Sequence, residues 1–148
     1  MTKRILFVCL GNICRSPTAE GVFRNVASDM DVEIDSAGTG AWHIGEPADG
    51  RATQEAAKRG YDLTQLRARQ VNRADFEYFD LILAMDLSNL RNLERMRPAG
   101  SRATLKLFLE YAPQIAEVEV PDPYYNNQFG RVLDMIEAAS KGLRAELL

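Results

Sequence analysis

Ile5-Leu6-Phe7-Val8-Cys9-Leu10-Gly11-Asn12-Ile13-Cys14-Arg15-Ser16-Pro17 decides how the rest of the chain reads. Its first half, Ile5 to Cys9, is a continuous apolar run, the pattern of a strand buried on both faces as in parallel sheets. Its second half leads into a helix: Ser16 suits the N-cap and Pro17 the first helical position, where a missing N–H is harmless. From there Ala19, Val22, Phe23, Val26, Ala27 and Met30 follow the i, i+3, i+4, i+7 stripe of an amphipathic helix. The short connection must curl, and Gly11 and Asn12 are the residues that tolerate positive φ. A curled backbone at a helix N-terminus turns its N–H groups inward and forms an anion nest.

The pattern repeats outward. Val32-Glu33-Ile34 reads as a second strand closed by the loop Ser36-Ala37-Gly38-Thr39-Gly40, followed by a helix from about Asp49 to Arg59 that stops at Gly60. Leu81 to Met85 is a third buried strand, and Asp86 can cap a helix bearing Leu87, Leu90 and Leu93. Thr104 to Leu109 is a weaker strand, and a last helix starts near Gln128. Strands alternating with helices indicate right-handed βαβ units. The expected fold is therefore α/β: one three-layer domain over residues 1–148, a four-stranded parallel sheet with helices on both faces and a phosphate-binding loop after the first strand. Ligands of such sheets bind beyond the carboxyl ends of the strands, and the first such end is Cys9.

Composition narrows the chemistry. Of 148 residues, 46% are hydrophobic and 26% charged, which excludes disorder and collagen-like repeats. A net charge of -3 supplies no basic surplus for a nucleic-acid backbone. No apolar run approaches the roughly 20 residues of a membrane span, and the N-terminus lacks a signal-peptide core. A cytoplasmic protein with reduced thiols, monomeric or weakly dimeric and engaging neither nucleic acid nor membrane, is the expectation. Two cysteines and one histidine cannot furnish an ordinary zinc site without carboxylates, whose spacing shows no ligand pattern. Gly38-Thr39-Gly40 follows the second strand without the third glycine of a dinucleotide fingerprint. No cofactor and no metal are expected.

The nest gives Cys9 and Arg15 a joint meaning. Positive potential from the helix end, the amides and the guanidinium favours a thiolate over a thiol, and a thiolate is a nucleophile at neutral pH. Arg15 offers a planar fork for two oxygens of a tetrahedral oxyanion. Together they suit attack on a phosphate monoester. Taken singly, Cys9 reads as a buried core thiol and Arg15 as a surface side chain; the loop and the spacing favour the joint reading. The ester's leaving oxygen gains from a proton donor. With one histidine in the chain, a carboxylic acid is the natural choice, and Asp122, held extended by Pro121 and Pro123, is the candidate beside the plainer reading of a Pro-Asp-Pro turn.

Cys9-Leu10-Gly11-Asn12-Ile13-Cys14-Arg15-Ser16-Pro17-Thr18-Ala19-Glu20 resembles the N-terminal signature of the low-molecular-weight protein tyrosine phosphatases. The resemblance continues through Asp35-Ser36-Ala37-Gly38-Thr39, Ala68-Arg69-Gln70, Phe79 to Asn89 and Val120 to Tyr125. It implies hydrolysis of phosphotyrosyl proteins or peptides and small aryl phosphates through a phosphocysteine. Cys9 would be the nucleophile, Arg15 the phosphate clamp and Asp122 the general acid, then base. Leu10, Gly11, Asn12, Ile13 and Cys14 would supply the phosphate cradle. Ser16 would hydrogen-bond the Cys9 sulfur as well as cap the helix, and Ser36 would partner Asn12. Trp42, Tyr124 and Tyr125, placed in loops, would wall a slot for a phenyl ring, or else cover the edge of the core. His43 reads as a surface loop residue and not as a catalyst.

One departure stands out: many relatives have His where this chain has Leu66, so the network around Asn12 is altered. Cys14 leaves two readings open, a packed small residue or the partner of Cys9 in a reversible protective disulfide. An arsenate reductase on this fold needs further cysteines after the third strand, and Met85 to Arg97 contains none. A phosphoarginine phosphatase typically has Thr where Ile13 stands. A non-catalytic phosphate-binding module would not need Cys9 and Asp122 together.

Overall fold

The computed structural model describes residues 1–148 and shows an all-parallel sheet of order β2-β1-β3-β4. Its strands are β1 (Lys3–Cys9), β2 (Val32–Gly38), β3 (Leu81–Ala84) and β4 (Thr104–Leu107). The helices are α1 (Arg15–Val26), α2 (Gly50–Lys58), α3 (Asp75–Tyr78), α4 (Leu87–Met96), α5 (Pro123–Asn126) and α6 (Phe129–Leu147). This is the expected architecture, and β1 explains why its sequence is apolar at every position. Ile5, Phe7 and Cys9 enter one core with α1 and α6, while Leu6 and Val8 enter a second with Phe76, Phe79, Ile82 and Leu93. Phe7 anchors the first core through edge-on contacts with Phe23 and Phe108, at centroid distances of 5.9 and 5.0 Å. No helix is long and apolar enough to cross a membrane.

Local details depart from expectation. Helix α1 begins at Arg15, because the Cys14 carbonyl already accepts the Thr18 N–H (3.2 Å) and hydroxyl (2.6 Å). Ser16 is therefore not the N-cap. Pro17 stays in the first turn, where N–H groups need no helical acceptor. In the loop only Asn12 is left-handed (φ 57°), whereas Gly11 is not. Strand β2 runs through Ser36 to Gly38, paired with β1 as far as Cys9↔Gly38, so Ser36 is a strand residue. Strand β4 stops at Leu107 and gives way to a 3-10 turn over Phe108–Tyr111 that drives Phe108 into the core. Tyr124 and Tyr125 lie in the one-turn helix α5, not in a loop. The cap expected at Asp86 does form, as a reciprocal box with Asn89, and Asp49 caps α2 by accepting the Arg51 N–H.

Candidate active site

The segment between β1 and α1 wraps around the Cys9 sulfur. Left-handed Asn12 donates its N–H to Cys9 Sγ (3.3 Å), and Ser16 Oγ lies 3.0 Å from the same sulfur. The Asn12 side chain joins the parts: Oδ1 accepts the Arg69 N–H (3.0 Å), while Nδ2 donates to Ser16 Oγ (2.7 Å) and Ser36 Oγ (3.0 Å). Three carbonyls along this stretch have backbone partners outside it. Cys9 accepts from Thr39 N–H (2.9 Å), Leu10 from Gly40 N–H (2.9 Å) and Ile13 from Asp49 N–H (2.8 Å). A Cβ on Gly38 would stand 2.7 Å from the Leu10 carbonyl oxygen, so this approach requires glycine. The N–H groups of Leu10, Gly11, Ile13 and Cys14 donate to no protein acceptor, as an anion nest requires.

Arg15 reaches the nest from the first turn of α1, with 3% of its side chain exposed. Nη1 donates to Asp86 Oδ2 (2.7 Å) and to the Val120 carbonyl (2.9 Å), leaving Nε and Nη2 uncommitted. Burial works to lower the guanidinium pKa, but the Cys9 and Asp86 charges outweigh it and hold the value above the ordinary one. Asp122 arrives between its two prolines in extended conformation, and its Oδ2 lies 3.7 Å from Arg15 Nη2. Its other oxygen accepts the Tyr124 N–H (3.1 Å) and so caps α5. Val120, whose N–H donates to the Met85 carbonyl (2.8 Å), ties this acidic loop to the end of β3.

These groups open on a cavity of about 380 Å³ lined by Cys9, Leu10, Gly11, Ile13, Cys14, Arg15, Trp42, His43, Asp122, Tyr124 and Tyr125. Every expected cradle, catalytic and wall residue lies here except Asn12, Ser16 and Ser36, which support the cradle from behind. Trp42 is 72% exposed and rests on Gly40, where a Cβ would sit 1.9 Å from the ring. Tyr124 and Tyr125 meet edge to face at 5.2 Å. The Arg51 guanidinium covers the Tyr124 ring at 5.2 Å and the Phe129 ring at 4.8 Å.

Several neighbours escaped the sequence reading. His43 lines the cavity, its Nδ1 2.8 Å from Glu46 Oε2 and its ring against Gly11; adjacency to Trp42 was the available signal. Asp86 is more than a helix cap, since its second oxygen holds Arg15. Glu20 is a buried carboxylate behind Ser36. Leu66 packs against the apolar cluster of Ala48, Ala56 and Leu63, and a backbone N–H from Arg69 orients Asn12. Cys14 packs with Ala52 and Phe129 and is a free thiol, as is Cys9. Burial, then the Asp49 and Cys9 charges, push the Cys14 pKa well above the ordinary thiol range.

Comparison with known proteins places this geometry. Residues 4–148 match the family model described as "Low molecular weight phosphotyrosine protein phosphatase". A protein of that name from Schizosaccharomyces pombe is 51% identical, the match covering 88% of this chain and 87% of the relative. A low molecular weight protein-tyrosine-phosphatase from Streptomyces coelicolor is 47% identical over 98% of this chain and 93% of its own length. Among solved structures, YfkJ from Bacillus subtilis superposes with a TM-score of 0.94 at 37% identity, covering 99% of this chain and 95% of that one. The Drosophila arginine phosphatase DARP shares the fold at a TM-score of 0.91 and 28% identity, over 97% of this chain and 96% of its own.

Proposed function

The chain belongs to the low molecular weight phosphotyrosine protein phosphatase family, and from that premise we propose that it cleaves phosphotyrosine through a phosphocysteine formed on Cys9. One observation carries the mechanism: the Cys9 thiol and the buried Arg15 guanidinium of one loop converge with the carboxyl group of Asp122, distant in sequence, on one cavity with aromatic walls. The substrate phosphate enters the nest, held by the free N–H groups and by Nε and Nη2 of Arg15. The Cys9 thiolate attacks phosphorus as the bond to the aryl oxygen breaks, and Asp122 delivers its proton to that oxygen. Asp122, now a carboxylate, takes a proton from water. The water oxygen attacks the phosphocysteine, the sulfur departs as thiolate, and inorganic phosphate is the product. A hydrogen bond from Ser16 to the departing sulfur lowers the barrier of this second step.

Trp42, Tyr124 and Tyr125 are the residues we assign to gripping the phenyl ring. Ile13 at the cavity wall favours an aromatic group over the guanidinium of phosphoarginine. We assign the activity to one phosphatase domain over residues 1–148, acting in the cytoplasm on phosphotyrosyl proteins or peptides. Steady-state rates on a phosphotyrosyl peptide, para-nitrophenyl phosphate and phosphoarginine test these assignments. Cys9→Ser is expected to be inactive. Asp122→Ala should lose ~10²–10⁴ in kcat on the peptide and less on the more acidic nitrophenol leaving group. Turnover persisting in Cys9→Ser, or an unchanged peptide rate in Asp122→Ala, refutes the corresponding role, and a preference for phosphoarginine refutes the substrate.

A further inference from the structure

We propose that Glu20, buried in α1 behind the loop, is a positioning residue: by taking the Ser36 hydroxyl hydrogen it leaves Ser36 to accept from Asn12, and so polarises the chain of hydrogen bonds that ends with Ser16 donating to Cys9. The inference rests on the reading of Cys9 as nucleophile and adds to it the origin of the sulfur's stabilisation.

The chain can be followed proton by proton. Arg24 donates to Glu20 Oε2 through Nε (3.1 Å) and Nη2 (2.7 Å), so the remaining oxygen, Oε1, is the one that accepts from Ser36 Oγ (2.7 Å). Ser36 has a single hydroxyl hydrogen, and this bond uses it. Its oxygen is left as an acceptor, and Asn12 Nδ2 occupies it at 3.0 Å. The Asn12 amide cannot be reversed, because its Oδ1 accepts the Arg69 backbone N–H at 3.0 Å. Its second amide hydrogen therefore goes to Ser16 Oγ at 2.7 Å. Ser16 now accepts there and must spend its own hydrogen elsewhere. Two acceptors lie within reach, Cys9 Sγ at 3.0 Å and the Ala37 carbonyl at 3.5 Å, and the nearer one is the sulfur.

With the Asn12 N–H also directed at it, Cys9 Sγ faces two donors, and a hydrogen bond to a charged acceptor is stronger than one to a neutral acceptor. Glu20, Ser16, Ser36 and Asn12 are 5% exposed or less, so water does not interrupt the path. In such a setting hydrogen bonds polarise one another along a chain. A carboxylate is suited to head it because it accepts only. An amide in its place presents its oxygen to Arg24 and its NH2 to Ser36, leaving the Ser36 hydrogen without an acceptor and reversing the polarisation. Glu20 is the anionic end of this path.

The experiment is the pH profile of Cys9 alkylation by iodoacetamide, a neutral reagent that reads the thiolate without turnover. Wild type, Glu20→Gln, Ser36→Ala and the double variant are compared between about pH 4 and pH 9. The other charged or titratable groups around the sulfur and its cavity, Arg15, Cys14, His43, Asp86 and Asp122, are the same in all four. Each single variant should raise the pH of half-maximal alkylation by about one unit, the effect of weakening one hydrogen bond to a charged group. The double variant should move it no further, because both changes cut one path. On a phosphotyrosyl peptide, kcat should fall about tenfold with KM held, as neither side chain lines the cavity. An unmoved profile in folded Glu20→Gln, with only the melting temperature lowered, overturns the proposal. Should that variant not fold, the smaller Ser36→Ala decides in its place, an unmoved profile there being equally fatal. Failure of the phosphatase reading would show separately, as turnover in Cys9→Ser.

Discussion

Asp86→Asn separates two jobs that one carboxylate performs. Asp86 Oδ1 accepts the Asn89 N–H at 2.7 Å and caps α4, while Oδ2 accepts Arg15 Nη1 at 2.7 Å. Asparagine has one oxygen. As an N-cap it equals aspartate, so the oxygen stays with Asn89 and the amide NH2 turns toward the guanidinium, donor against donor. A hydrogen bond to a charged group contributes roughly 1.5–3 kcal/mol. Arg15 keeps the Val120 carbonyl at 2.9 Å and Asp122 at 3.7 Å, and Asp86 is 20% exposed, so the lower half of that range applies. About 2 kcal/mol corresponds to about a 30-fold loss in kcat/KM. The assay is kcat/KM on para-nitrophenyl phosphate, with inhibition by inorganic phosphate weakened in parallel. Asp86→Ala is the control: it also loses the cap, about 1 kcal/mol of stability, yet should be no worse a catalyst than Asp86→Asn. A kcat/KM within twofold of wild type in folded Asp86→Asn refutes the role of Asp86 in holding Arg15.

The raised Cys14 pKa makes native-state iodoacetamide at pH 8 label Cys9 and spare Cys14, so native Cys9→Ser should take up no label and gain one on denaturation; labelling of native Cys14 contradicts this. The same group has a sign in stability: its folded value lies above its unfolded one near ~8.5, so the stability it contributes is full below that pH and declines as pH rises toward the folded value. Guanidinium titrations of Cys14→Ala should therefore show a flatter alkaline decline than wild type above about pH 8.5. Gly142→Ala should destabilise by about 3 kcal/mol or more, because its Cβ would lie 1.8 Å from the Tyr111 carbonyl oxygen, a backbone atom of the turn that α6 packs on. An unchanged guanidinium midpoint refutes that packing.

What could be read from the sequence follows the range of the interactions. The cradle was legible because its parts are consecutive: the apolar run of β1, a left-handed Asn12 and a helix start impose one another locally. Ser16 shows where local logic misleads. Ser-Pro ahead of an apolar stripe has the form of an N-cap, but the hydroxyl is taken by Asn12 and Cys9, and α1 starts earlier, on the Cys14 carbonyl. Gly11 and Asn12 were equally suited to positive φ, and only the side-chain bonds of Asn12 to Ser16, Ser36 and the Arg69 amide decide between them. Glu20 was hidden because, on helical periodicity alone, a carboxylate beside an apolar stripe reads as a solvated face.

Asp86 was hidden by topology. The elements could be read, but not their order, and order makes the site. With β1 between β2 and β3, the chain leaves β1 at the point where its neighbours on either side were added in opposite directions, the crevice where ligands of open parallel sheets bind. The residues that end those two neighbours must then flank Cys9 whatever their local roles. On one side Gly38 admits the Leu10 carbonyl and Ser36 reaches Asn12. On the other, the Met85 carbonyl takes the Val120 N–H, and Asp86 takes Arg15. Once β3 lies beside β1, the acidic residue after it is obliged to face the guanidinium at the start of α1, and capping α4 is the second use of a carboxylate that the strand order had already brought to the Cys9 loop.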